Sequence, residues 1–83
     1  MKIRVKLYAA LAQYLPAGAE NNEVDLDVAP GTPPAAVLAD LGVPAKMCHL
    51  LLVNGVYVAP GLRETQALAE GDALAAWPPV AGG

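Results

Sequence analysis

Few residues in this chain carry side chains that could do chemistry. The single cysteine, Cys48, stands beside the single histidine, His49, a pairing that could supply a nucleophile and a base. On a strand, adjacent residues point to opposite faces, so the two cannot meet. A lone cysteine next to the apolar run Leu50 to Val53 reads instead as a small core residue. With one cysteine and one histidine, neither a CxxC metal site, a histidine metal cluster nor a catalytic triad can form. Asp25, Asp27, Glu64 and Asp72 are scattered and read as solvated surface or turn positions. No glycine-rich phosphate loop is present.

The remaining candidate is the carboxylate of Gly83, at the end of Trp77-Pro78-Pro79-Val80-Ala81-Gly82-Gly83. Two consecutive prolines cannot donate ladder hydrogen bonds and favour extended polyproline geometry, so a strand stops there. Glycine lets a backbone enter a slot too narrow for side chains. Two readings follow. Either this end frays and carries no role, or it is a slender stalk that delivers a carboxylate into another protein. A free carboxylate is a poor electrophile. Once activated, for example as an acyl-adenylate, it could be loaded with sulfur or joined to an amine. The protein would then act as a macromolecular group carrier.

Aromatic side chains are the other candidates, and there are four: Tyr8, Tyr14, Tyr57 and Trp77. Strand parity places Tyr8, Tyr57 and Trp77 on one outer face, with Tyr57 opposing core-facing Val56 and Val58. Together they would form an exposed patch beside the tail, of the kind that anchors partners. The alternative is ordinary cross-strand packing among partly exposed rings.

Alternation supplies the elements that position these residues. Lys2 to Tyr8 alternates strictly, with Ile3, Val5 and Leu7 inward. Ala9 to Leu15 reads as a short helix closed by Pro16 and Gly18. Glu23 to Val28 alternates again, and its acidic outer residues match the basic Lys2, Arg4 and Lys6, as an antiparallel pair would favour. That match also explains the basic cluster as neutralising a neighbour. Thr32 is expected to cap the main helix, with Pro33 at its first position. Pro34, Val37, Leu38 and Leu41 form the helix core face, Gly42 its C-terminal cap, and Pro44 prevents continuation. Leu50 to Val53 reads as a central strand. Asn54-Gly55 predicts a tight hairpin into Val56 to Val58. Ala59 to Gln66 is a loop, Leu68 a buried anchor, Glu70-Gly71-Asp72 a turn, and Ala73 to Trp77 the last strand.

Eighty-three residues make one domain, expected over residues 1–77 with a projecting tail over 78–83. With 55% hydrophobic and 16% charged residues the chain is globular, not disordered. A net charge of −3 argues against nucleic acid as a partner. No apolar run is long enough to span a bilayer, and charges interrupt the N-terminal apolar residues, so the expected location is the cytoplasm. The element order implies an α+β fold with one sheet face open.

The strand-first KIRVKLYAALAQYL, the hairpin LVNG, the turn ALAEGD and the ending WPPVAGG together resemble the ubiquitin-like sulfur carriers. The likeness is to the small subunit of molybdopterin synthase and its thiamine-pathway relative, and it covers nearly the whole chain. PPVAGG favours the molybdopterin branch. The resemblance implies a β-grasp fold, a mixed sheet of about five strands with one main helix. It implies that a ubiquitin-activating-like adenylating enzyme uses ATP to activate the Gly83 carboxylate and that a sulfur donor protein converts it to a thiocarboxylate. The tail residues Pro79, Val80, Ala81 and Gly82 would then enter a large synthase subunit, and the sulfur would build the dithiolene of the molybdenum or tungsten cofactor. Tyr8, Tyr57 and Trp77 match the family's partner-binding positions. Such a carrier binds no cofactor or metal and contributes no catalytic side chain. Related carriers serve thiamine or other sulfur pathways, and some are conjugated to lysines as modifiers. Trp77 stands where the molybdopterin relatives usually carry Phe, the loop Ala59 to Gln66 is longer than usual, and the main helix is short.

Overall fold

The computed structural model describes residues 1–79. Its strands are β1 (Lys2–Leu7), β2 (Glu23–Asp27), β3 (Leu50–Val53), β4 (Val56–Tyr57) and β5 (Ala73–Trp77), with one α-helix, α1 (Pro34–Asp40). The five strands form one mixed sheet in the order β2-β1-β5-β3-β4. β1 and β5 run parallel, and every other pairing is antiparallel. The centre is therefore β5, with β3 inside the sheet but one place off-centre. Leu51 and Val53 of β3 face the core, while Leu50 and Leu52 lie on the outer face, where the run stays apolar although no helix covers it.

β1 and β2 pair with the basic-to-acidic match the alternation implies. Arg4 lies opposite Asp25 and Lys6 opposite Glu23. Arg4 Nε donates to Asp25 Oδ1 at 3.0 Å, and its Nη1 lies 3.6 Å from Glu23 Oε1. That hydrogen bond, with the guanidinium charge, holds the Asp25 carboxyl below its ordinary value, and the same bond with the Asp25 and Glu23 charges raises Arg4 above its own. The basic cluster thus serves the strand pair.

The inner face carries the core. Ile3, Val5 and Leu7 of β1, Leu51 and Val53 of β3, and Leu74 and Ala76 of β5 are all buried. Pro34, Val37 and Leu38 of α1 are buried too, and Val37 and Leu38 join the same cluster as Leu11, Val43, Val58 and Leu68. Leu41 packs against its edge.

The helix begins one residue later than the cap pattern implies. Pro33, not Thr32, is the N-cap, held at ψ 163°. A residue before proline is pushed out of the helical region, so Pro33 cannot be the first helical residue while Pro34 follows it. The Thr32 hydroxyl instead donates to Ala29 O at 2.7 Å, closing the turn before the helix. At the other end Gly42 adopts φ +87°, Gly42 N–H donates to Ala39 O, and Val43 N–H donates to Leu38 O. This is the paired closure that favours glycine, and buried Leu38 and Val43 accompany it.

The segment after β1 is a 3-10 helix, Ala9–Tyr14, entered through Ala9 at φ +52°. It buries Leu11. The Asn54-Gly55 turn has both residues at positive φ, the geometry that suits a two-residue hairpin between twisted strands. The Asn54 amide also accepts from Ala73 N–H and donates to Asp72 Oδ1, both at 2.9 Å, fixing the start of β5 to the hairpin. β4 is only two residues long, and Val56 is 67% exposed. Parity is right for Val56, since it pairs with Val53, but it sits at the hairpin tip on the outermost strand and nothing covers it. Val58 beyond it is buried, as expected. The loop from Ala59 contains a 3-10 turn, Pro60–Leu62.

Candidate functional site

Cys48 and His49 do not make a reactive pair. Cys48 is buried in the core cluster and His49 is exposed. Burial pushes the Cys48 thiol above its usual value, with the nearby Arg63 charge only partly opposing it. A thiol held protonated is a poor nucleophile. Among the described residues no group of histidine, cysteine or carboxylate side chains could hold a metal ion, and no helix is long and apolar enough to cross a membrane.

What the fold does build is an apolar strip on the outer face of the sheet. The register pairs Trp77 with Leu50, Ala75 with both Lys6 and Leu52, and Leu52 with Tyr57. Paired residues share a face, as do residues two apart on a strand. Trp77, Leu50, Ala75, Leu52 and Tyr57 therefore lie together, opposite the helix. Tyr8, just past the end of β1, joins them: its ring stacks on Trp77 at 4.6 Å between centroids and 12° between planes. Tyr57 is 53% exposed and Leu50 36% exposed.

The three aromatic positions thus share one face, but not as one cluster. Tyr8 and Trp77 form a stacked, half-buried pair. Tyr57 lies two strands from Trp77, about 10 Å across the sheet. Leu50 and Leu52 fill the space between and were missed as contact residues. Their signal was present in the sequence: an unbroken apolar run on a strand whose sheet has helices on one side only. At the sheet's other end the same face is charged, carrying Lys2, Arg4 and Lys6.

The strip borders the root of the tail. Trp77 O accepts from His49 N–H at 3.0 Å, and Tyr8 N–H donates to Ala76 O at 3.2 Å. Pro78 and Pro79 follow, and neither can extend the ladder. Pro78 is half-buried and Pro79 exposed. The other tail residues singled out from the sequence, Val80, Ala81, Gly82 and Gly83, lie outside the described residues.

Arg63 is the polar residue that the sequence did not mark. Its Nη1 donates to Cys48 O at 2.7 Å and its Nε to Val58 O at 3.0 Å. The guanidinium also lies 6.0 Å from the centre of the Tyr57 ring. One side chain thereby bridges the loop, the entry to β3 and the end of β4.

The family model described as Mut7-C ubiquitin matches residues 1–82 of this chain. Among solved structures, the chain is similar to SAMP1, small archaeal modifier protein 1, of Haloferax volcanii: 29% identity, TM-score 0.69, with 100% of each chain covered. It is similar to subunit 1 of a molybdopterin converting factor from Pyrococcus furiosus at 22% identity, TM-score 0.65, covering 95% of this chain and 98% of that one. It is also similar to a chain in the complex of subunits 1 and 2 of the molybdopterin-converting factor of Helicobacter pylori, at 16% identity, TM-score 0.62 and 100% coverage of both. The last two likenesses carry the fold. A search of curated protein sequences gave no match.

Proposed function

The chain belongs to the Mut7-C ubiquitin family, and from its β-grasp fold we propose that it is a sulfur carrier whose working group is the carboxylate of Gly83. An adenylating enzyme of the ubiquitin-activating kind joins that carboxylate to AMP and releases pyrophosphate from ATP. Sulfide-level sulfur (HS−) supplied by a sulfur donor protein then attacks the acyl carbon, forming the C–S bond as the bond to AMP breaks, so that AMP and a proton leave and a thiocarboxylate remains. The loaded tail enters a larger synthase subunit and passes its sulfur to a molybdopterin precursor. Tyr8, Tyr57 and Trp77, with Leu50 and Leu52, hold the partner, while Pro79, Val80, Ala81 and Gly82 reach into it. One observation carries this reading: the apolar strip runs directly into Trp77, the last strand residue before the double proline. A partner seated on the strip is thereby placed at the tail. The subunit complex of the H. pylori relative supports a large-subunit partner.

The test is intact mass after incubation with the cognate adenylating enzyme, ATP and a sulfur source. The expected product has one oxygen replaced by sulfur at Gly83. No mass change in the chain would refute the reading, as would loading that survives deletion of Gly83.

The likeness to SAMP1 favours a second reading, conjugation to lysines as a modifier. The last basic residue is Arg63, so trypsin would leave the whole segment from Glu64 to Gly83 on a modified lysine. A search for that branch on target peptides separates modifier from carrier.

A further inference from the structure

Resting on the sulfur-carrier reading, we infer that Arg63 is a positioning residue: from behind the sheet end it holds the backbone that aims the tail. The observation is a relay of hydrogen bonds. Arg63 Nη1 donates to Cys48 O at 2.7 Å, and Nη2 reaches His49 O at 3.4 Å. The N–H of the same His49 donates to Trp77 O at 3.0 Å. Beyond Trp77 come two residues without N–H groups. Among the described residues, the His49 bond is therefore the last backbone tie between β5 and the rest of the sheet.

Cys48 and His49 have no regular ladder of their own to hold them. Cys48 sits at φ −91°, ψ 83°, outside strand and helix geometry. Their carbonyls depend on the guanidinium, and charge-assisted bonds of this kind are stronger than neutral ones. Arg63 is itself anchored on two sides. Its Nε donates to Val58 O at 3.0 Å, and its own carbonyl accepts from Ala35 N–H, in the first turn of α1, at 2.8 Å. The rigid helix and the β4 end thus brace the joint from which the tail departs. Arg63 also lies beside Tyr57, which links the brace to the contact face.

Delivery of a carboxylate to an active site depends on its arriving in reacting geometry, and a misplacement of about 1 Å can cost about 100-fold. Replacing Arg63 by Gln removes the fork but leaves the outer-face residues in place. The expected result is a split. The KM of the adenylating enzyme for the carrier stays within about 2-fold, while kcat for thiocarboxylate formation falls about 10-fold. Hydrogen exchange at the His49 amide should accelerate selectively. Arg63→Lys should remain impaired, because an ammonium cannot span the separate carbonyls that the planar fork reaches. Leu68→Val is the control: it trims the core away from the tail root, so it lowers stability while kcat per folded molecule and relative His49 protection are retained.

Wild-type kcat in Arg63→Gln, full rescue by Lys, or losses that merely track the folded fraction as in Leu68→Val would each overturn the proposal. If the wild-type chain is not loaded with sulfur at all, the carrier reading fails separately. The positioning claim is then decided by His49 exchange alone: selective acceleration in Arg63→Gln supports it, and unchanged protection relative to Leu68→Val refutes it.

Discussion

Tyr57→Ala separates binding from folding more cleanly than any other change on the outer face. Tyr57 lies on the two-residue edge strand β4 and is 53% exposed, so its ring contributes little to the core. An aromatic side chain buries about 200 Å² when fully covered, which leaves about 100 Å² of Tyr57 for a partner to cover. At about 25 cal/mol per Å² this amounts to about 2.5 kcal/mol. Ordering the side chain in the complex offsets about 1 kcal/mol. The expected loss of affinity is therefore about 1–2 kcal/mol, or about 5- to 30-fold in Kd. The folding cost should stay below about 1 kcal/mol, because only the Arg63 contact and partial packing are lost. Calorimetric titration of the adenylating enzyme and of the large synthase subunit gives the two Kd values, and urea denaturation gives the stability. If both Kd values stay within about 2-fold of wild type while the variant is folded, the outer strip is not the docking surface.

Two further outcomes concern the core. Leu74→Ala removes a fully buried side chain from the central strand, opposite Val5 and Val53, and should cost about 2–5 kcal/mol, much of the total for a domain of this size; an unchanged urea midpoint would contradict the register. The Cys48 thiol makes stability fall in alkali. Its folded value is raised by burial, so above the ordinary thiol value of about 8.5 the unfolded chain gives up its proton first and is favoured. The contribution is fully present below that pH and is lost as pH rises through the folded value. Denaturation midpoints from about pH 7 to about 10 should fall more steeply in the wild type than in Cys48→Ala, and parallel curves would show that the thiol is not buried.

Strand parity was legible wherever a strand alternates. Ile3, Val5 and Leu7 were placed inward from spacing alone, and Arg4 was matched to the acidic strand that it meets in Asp25. Gly42 and Asn54-Gly55 announced their turns because few other residues accept positive φ. The double proline before the helix was misread by one position, since its effect runs backwards onto Pro33. Val56 was misplaced because parity reports which face a side chain takes, not whether anything lies over that face.

The sequence by itself determined the alternation, the turns, the stop at Pro78-Pro79 and the shortage of side chains able to do catalysis. These are local properties, written in steric limits and in spacings of two to four residues. Only the tertiary structure decided that β5 sits between β1 and β3, which stacks Tyr8 on Trp77 and lays Leu50 and Leu52 between that pair and Tyr57. It alone brought Arg63 to the carbonyls of Cys48 and His49, fifteen and fourteen residues away along the chain. Register and long-range hydrogen bonds depend on which strands become neighbours. That choice belongs to the burial of the whole inner face, not to any one segment.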